Sequence, residues 1–188
     1  MMDYPLLIHK FLERTAVFSP EKEIITREEG GNHRYTYADL MQRSARLSNA
    51  LAGLGVEQGD RVGTFAWNQY RHLEAYFAAP AMGAVLHTIN IRLFTEDLVY
   101  IINHAGDKVV LVDPDLVPIL EPLASQFESV KHFIIMTDDQ NFTTTLPSAH
   151  NYEDLISSAS NTYSPVDSDE GAPARLCYTS AFSYTHLT

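Results

Sequence analysis

The spacing of hydrophobic positions changes several times along the chain, and each change marks an element. Leu6, Leu7, Lys10, Phe11, Arg14 and Phe18 define a helical stretch with one apolar face, which Pro20 ends. Glu23–Arg27 and His33–Tyr37 read as short strands. The turn residues Glu29-Gly30-Gly31-Asn32 between them predict a β-hairpin. Thr36 is a candidate N-cap with Asp39 three residues on, a variant of the capping box in which each side chain serves the other residue's amide. Leu40, Leu47, Leu51 and Leu54 then share one helical face, and Gly55 stands where a C-terminal cap belongs.

From Arg61 onward, strand and helix alternate. Arg61–Ala66 is read as a strand, Tyr70–Met82 as a helix and Ala84–Thr88 as a strand. Thr95 is expected to cap a helix running to His104, closed by Gly106. Lys108–Val112 is a strand ended by Asp113-Pro114, and Lys131–Met136 is the next strand. A helix is expected between them over 115–127, although Pro118 and Pro122 remove two backbone donors from it. Residues 138–148 read as a loop, and Tyr152–Ser158 as a short helix. Ser160–Pro173, rich in Ser, Asp, Asn, Pro and Gly, reads as a surface connector into a last apolar strand, Ala174–Tyr178. Alternating strands and helices predict parallel βαβ units. The runs Val109–Val112 and Phe133–Met136 are apolar throughout, as strands buried on both faces are, so they are expected to be neighbours in the sheet. The fold class is therefore α/β, a mostly parallel sheet flanked by helices.

Composition narrows the function. A net charge of −11 over 188 residues disfavours nucleic acid as a partner, because phosphate binding needs a basic face. No stretch approaches the ~20 apolar residues of a membrane span. Asp3, Lys10, Glu13 and Arg14 interrupt any secretory leader. With one cysteine, Cys177, no disulfide forms within the chain, and a cytoplasmic location is expected. Cys177 sits in the run Leu176-Cys177-Tyr178 and reads as a buried strand residue.

Most candidate chemistry has a structural explanation. Gly53, Gly55 and Gly59 follow a helix and precede a strand, the wrong order for a dinucleotide loop. The eight histidines form no H-E-x-x-H pair, and His72, His87, His104 and His132 fall on separate elements, as structural histidines do. No serine stands in G-x-S-x-G, and the acidic groups Asp138-Asp139 and Asp167, Asp169, Glu170 lack calcium-loop spacing. Asn90 and Arg92 lie in a turn between a strand and a helix, where both are expected to pin backbone carbonyls. The most informative segment is Leu176-Cys177-Tyr178-Thr179-Ser180, where an apolar strand runs into hydroxyls. Hydroxyls and amides at a strand end can hold phosphate oxygens and a magnesium ion. Such a loop needs glycines to wrap the anion closely, yet Ala181–Thr188 holds neither glycine nor lysine.

Tyr178-Thr179-Ser180 resembles the opening of Y-T-S-G-T-T-G-x-P-K-G, the phosphate loop of the adenylate-forming superfamily. Upstream, Tyr35–Leu40 resembles that family's T-Y-x-E/D-L, and Leu54–Val62 resembles L-G-V-x-x-G-D-R-V. Gly83-Ala84-Val85 with Asn90 and Arg92-Leu93 resembles G-A-V-x-x-x-x-N-x-R-L, with Ile91 where proline is frequent. Arg71–Phe77 and Val85–Thr88 look most like bacterial medium- and long-chain fatty-acyl-CoA synthetases.

The resemblance implies an AMP-forming acid–thiol ligase. Residues 1–180 would be a truncated, N-terminal part of the adenylate-forming (AMP-binding) domain. ATP, Mg2+ and coenzyme A are the implied cofactors, a fatty acid the substrate, and a homodimer the implied assembly. No catalytic residue carries over. Thr179 and Ser180 carry over as cofactor-binding residues, with Thr179 also on the metal, and Thr179 is expected at the carboxyl end of its strand. The match stops at Ala181, so 181–188 is read as a non-native tail, and Ser183–Thr188 resembles translated sequencing-adapter DNA. The isolated chain is expected to lack adenylating activity. The competing readings are a non-catalytic α/β binding or assembly module and an unrelated nucleotide-binding enzyme.

Overall fold

The computed structural model describes residues 5–28 and 30–178. Helix α1 (Ile8–Phe18) leads into an antiparallel hairpin of β1 (Glu23–Glu28) and β2 (Gly31–Thr36), paired from Glu23↔Thr36 to Glu28↔Gly31. Helix α2 (Tyr37–Gly53) starts on the capping box read from the sequence. Asp39 N donates to Thr36 Oγ1 at 3.2 Å, and Thr36 N donates to Asp39 Oδ2 at 2.9 Å. Past its end, Gly55 has φ +82°, the left-handed geometry that lets Val56 N bond back to Leu51 O.

A six-stranded parallel sheet comes next. Its strands are β3 (Arg61–Phe65), β4 (Val85–Thr88), β5 (Asp107–Val112), β6 (His132–Ile135), β7 (Ala149–Asn151) and β8 (Arg175–Leu176). Their spatial order is β7-β6-β5-β3-β4-β8, every pairing parallel. Helix α3 (Tyr70–Ala81) connects β3 to β4, and α4 (Thr95–Ala105) connects β4 to β5. The step from β5 to β6 holds one short α-turn, α5 (Val117–Leu120), between 3-10 turns at Pro114–Leu116 and Glu121–Gln126. The helix expected over 115–127 is thus broken, with prolines at the first turns of these pieces, where the missing amide costs least. Helix α6 (Tyr152–Ser157) follows β7.

Each face of the sheet carries its own core. Val62, Leu86, Val109 and Leu111 pack on one face with Leu47 and Leu51 of α2, Ala75 and Ala78 of α3, and Tyr152 and Ile156 of α6. Phe65, Val110, Val112 and Phe133 pack on the other with Leu98 and Ile102 of α4 and Leu120 of α5. The runs Val109–Val112 and Phe133–Met136 are neighbouring buried strands, as their unbroken apolar character predicts. Each fully buried Val, Leu or Ile side chain contributes about 1.5–3 kcal/mol relative to exposure.

Three local expectations are corrected. Thr95 is the first helical residue of α4. The cap position falls on Phe94, whose side chain has no acceptor for a free amide. Asn90 pins an amide rather than a carbonyl: its Oδ1 accepts from Arg92 N at 3.0 Å, a tight Asx turn. Cys177 lies beyond β8 and is exposed. An apolar run is buried only if neighbours flank it, and among the described residues β8 pairs with β4 alone. The strand β7 falls where the sequence predicts none. Its residues Ala149, His150 and Asn151 are only half-buried and carry no apolar pattern.

Candidate functional site

Because all six strands run the same way, their carboxyl ends share one rim. The chain leaves β3 toward the α2/α3 face and leaves β5 toward the α4/α5 face. A crevice therefore opens between the ends of β3 and β5, the topological switch point at which open α/β sheets take ligands. Trp67, Gln69, Arg71, Asp113, Met136 and Thr137 line it.

Asp113 anchors that crevice. Its Oδ2 accepts from Trp67 N at 2.7 Å, and its Oδ1 accepts from Gln69 Nε2 at 3.0 Å. Burial pushes its carboxyl above the ordinary range, while these two bonds pull it back. Trp67 Nε1 reaches Asp115 Oδ2 at 2.8 Å, so three side-chain hydrogen bonds tie the loop after β3 to the loop after β5. Arg71 closes the floor, donating from Nη1 to Met136 O at 3.3 Å.

Arg71 also belongs to an ionic cluster under the crevice. Its Nε bonds Glu153 Oε1 at 2.8 Å. Arg43 of α2 holds both Glu153 oxygens, at 2.9 and 2.8 Å, and donates from Nε to Glu74 Oε1 at 2.7 Å. Glu74 is fully buried and also accepts from the Tyr152 hydroxyl. Burial raises the Glu74 carboxyl despite Arg43. Burial pulls Glu153 upward too, but hydrogen bonds from Arg43 and Arg71 outweigh it and hold its carboxyl below the ordinary value. The cluster locks α2, α3 and α6 together.

The second polar feature lies at the β4–β8 edge. His87 Nδ1 and Asp107 Oδ2 stand 2.7 Å apart, both side chains fully buried. The Tyr178 ring packs against His87 with centroids 5.2 Å apart, and Tyr178 Oη lies 2.6 Å from His104 Nδ1 on α4. Nearby, Arg61 donates from Nε to Ala105 O at 2.6 Å and caps the end of α4, where Gly106 has φ +69°.

Tyr178 is the last described residue before the predicted site. Thr179 and Ser180, and with them the expected position of Thr179 at its strand end, lie outside the described residues. Among the histidines, His72 is buried and bonded to Thr64 Oγ1 at 3.0 Å. Among the described residues, no group of three or more His, Cys, Asp or Glu is placed to hold a metal ion. No described helix is long and apolar enough to cross a membrane. The Asp113 anchor, the ionic cluster and the His87–Asp107 pair escape sequence reasoning. In the sequence, Arg71 to Glu74 stand out only for their resemblance, and Asp113 only as a strand stop.

The sequence matches the family described as AMP-binding enzyme over residues 12–181. It is 50% identical over 139 residues to a long-chain-fatty-acid–CoA ligase of Thermus thermophilus, covering 73% of this chain and 26% of the relative. It is 38% identical over 182 residues to a medium-chain-fatty-acid–CoA ligase of Ectopseudomonas oleovorans, covering 96% of this chain and 33% of the relative. The fold superposes on the anthranilate CoA ligase AuaEII in complex with anthranoyl-AMP (TM-score 0.85, 19% identity), covering 95% of this chain and 33% of that one. A fatty acyl CoA synthetase of Mycobacterium tuberculosis superposes with TM-score 0.79 at 24% identity, over 93% and 33% of the two chains. The chain thus spans a quarter to a third of the length of the relatives it matches.

Proposed function

Because the chain belongs to the AMP-binding enzyme family, we propose that it is the N-terminal part of a fatty-acid–CoA ligase. In the proposed reaction, a carboxylate oxygen attacks the α-phosphorus of ATP, forming an acyl-adenylate and releasing pyrophosphate. The coenzyme A thiol then attacks the acyl carbon and AMP leaves. The observation that carries this reading is 38% identity to a medium-chain ligase over nearly the whole chain.

Within that reaction, this chain's contribution is to present the rim. The three ties between the loops after β3 and β5 keep the switch-point crevice shaped. Thr179 and Ser180, which follow Tyr178 in the sequence, would bind the nucleotide phosphates in this reading. A magnesium ion, bound through Thr179, would offset triphosphate charge. The hard oxygen chemistry of the two hydroxyls fits that ion, and the described acidic residues offer it no cage.

Residues 1–180 form the partial AMP-binding domain in this reading, and 181–188 a non-native tail. The parent works in the cytoplasm as a homodimer. The 188-residue chain itself turns nothing over. It tends to aggregate, because β8 leaves an open sheet edge among the described residues and α1 exposes Phe11, Val17 and Phe18.

Fatty acid-dependent ATP–pyrophosphate exchange tests the reading. Silence is expected from this chain, and exchange is expected from a protein in which Ser180 is followed by Gly-Thr-Thr-Gly and then Pro-Lys. Resequencing the source DNA through this point shows which of the two is encoded. Clean genomic codons for the same tail and a stop would favour the non-catalytic module instead.

A further inference from the structure

β7 joins the sheet without an apolar pattern, so polar side chains carry more of its attachment than they do in the central strands. Ala149, His150 and Asn151 are all half-buried, and among the described residues they pair with β6 alone, through Phe133↔Ala149, Ile134↔His150 and Ile135↔Asn151. Asn151 has an evident task. Its Nδ2 donates to Asp139 O at 3.0 Å, and its Oδ1 accepts from Glu153 N at 3.0 Å to cap α6. The side chain of His150 has one hydrogen-bonding partner among the described residues, and that partner is another histidine.

His132 stands at the start of β6, two residues before Ile134, which lies opposite His150 in the register. Side chains two apart on a strand share a face. His132 and His150 are therefore diagonal neighbours on the face that Ile134 shares with α2, α3 and α6. His132 Nδ1 and His150 Nε2 lie 3.1 Å apart, with ring centroids 5.2 Å apart and planes tilted by 49°.

As a hydrogen bond, this contact uses one N–H and one lone pair. The same separation suits a metal ion. Two nitrogens 3.1 Å apart, each about 2.0–2.1 Å from one ion, subtend roughly 100° at it, as two adjacent ligands do. The ring that donates in the hydrogen bond moves its proton to its outer nitrogen, and both facing nitrogens then offer lone pairs. Among the described residues no third His, Cys, Asp or Glu completes a cluster, so water fills the other positions, and both half-buried rings leave it access. The donor set selects the ion. Neutral imidazole suits zinc, nickel and copper, whereas magnesium takes oxygen ligands.

We infer that His132 and His150 form a two-histidine site for a divalent transition-metal ion, which clips β7 to β6. The strand it secures runs directly into Tyr152 and Glu153, the α6 members of the ionic cluster. The site is independent of the nucleotide reading, since it uses nitrogen ligands on the far strand pair of the sheet from β8.

Zn2+ titrated into a Cys177→Ser chain at about pH 7.5, where an ordinary imidazole is neutral, tests the inference with the exposed thiol removed as a competing ligand. The Phe133 amide, bonded to Ser148 O just before β7, reports the β6–β7 pairing, and the Met136 amide, bonded to Val112 O, reports the sheet centre. Saturating Zn2+ is expected to slow hydrogen exchange at Phe133 about tenfold relative to Met136, as a ligand that suppresses a local opening does. Mg2+ at the same concentration is expected to change neither amide. His150→Asn and, separately, His132→Asn are expected to weaken Zn2+ binding at least about tenfold and to abolish the slowing, since even residues behind a ligand cost about 10–100-fold in affinity. Should neither variant fold, substoichiometric Cu2+ added to the Cys177→Ser chain decides. Its paramagnetism is expected to broaden the His132 and His150 resonances before those of His33 or His104. Broadening that begins elsewhere, Zn2+ binding unchanged in the variants, or a Phe133 amide that Zn2+ does not slow overturns the inference.

Discussion

Two apolar runs in this chain end in opposite circumstances. Val109–Val112 lies in the middle of the sheet with β3 on one side and β6 on the other, and all four residues are fully buried. Leu176-Cys177-Tyr178 is as apolar on paper, yet Leu176 is half-buried and Cys177 exposed. The difference is neighbours. The central strand is covered by α2, α3 and α6 on one face and by α4 and α5 on the other. Among the described residues, the edge strand has one ladder and a tyrosine resting on a histidine. Apolar sequence states a preference for burial, and topology decides whether it is met.

The contrast can be broken hardest at the clamp above the central strands. Arg43→Ala leaves the buried Glu74 facing only Tyr152. A cost of about 3–5 kcal/mol is expected in urea unfolding, since a buried charge is left without its partner. A loss below about 1 kcal/mol would mean that Glu74 is neutral in the folded protein. Next comes the centre itself. Leu111→Ala opens a cavity with no room to collapse and is expected to cost about 2–5 kcal/mol in the same assay, whereas the equivalent change at the half-buried Leu176 should cost far less.

A pH scan sharpens the comparison with a smaller effect. Glu153 sits below its ordinary value, so its stabilisation is fully present above the unfolded pKa, near the reference of 4.5, and is lost as pH falls through the folded value. Glu153→Gln should therefore flatten the acid limb of Tm against pH, with parallel limbs as the contrary result. The smallest effect belongs to the edge. Cys177→Ser should change stability by less than about 0.5 kcal/mol. The native thiol should react with an aromatic disulfide reagent at close to its rate in unfolded chain. A protected thiol would contradict the exposure of Cys177 in the fold.

What could be read from the sequence was local. The hairpin, the Thr36–Asp39 box and the helix it starts, and the paired runs at Val109 and Phe133 all depend on residues a few positions apart or on unbroken hydrophobicity. Pro118 and Pro122 cast doubt on the helix that they interrupt. The polar architecture was not legible, because its partners are remote. Arg43 finds Glu153 110 positions away, and Trp67 finds Asp113 46 positions away. The His87–Asp107 pair depends on an absent side chain at Gly63, where a Cβ would stand 3.1 Å from Asp107 Oδ2, and no periodicity announces a gap. The candidate site was legible only as a resemblance at Thr179 and Ser180, beyond the described residues.

The sheet order has a consequence for how the chain folds. β8 pairs with β4, made long before it, rather than with its sequence neighbour β7. Closing that contact joins Leu86 to Arg175 across everything between them, so it carries the largest loop-closure cost of any pairing in the sheet. During synthesis, β3 to β7 can assemble while the outer edge of β4 still waits for a strand. β8 should therefore be the last of the described strands to settle, docking onto a surface already formed.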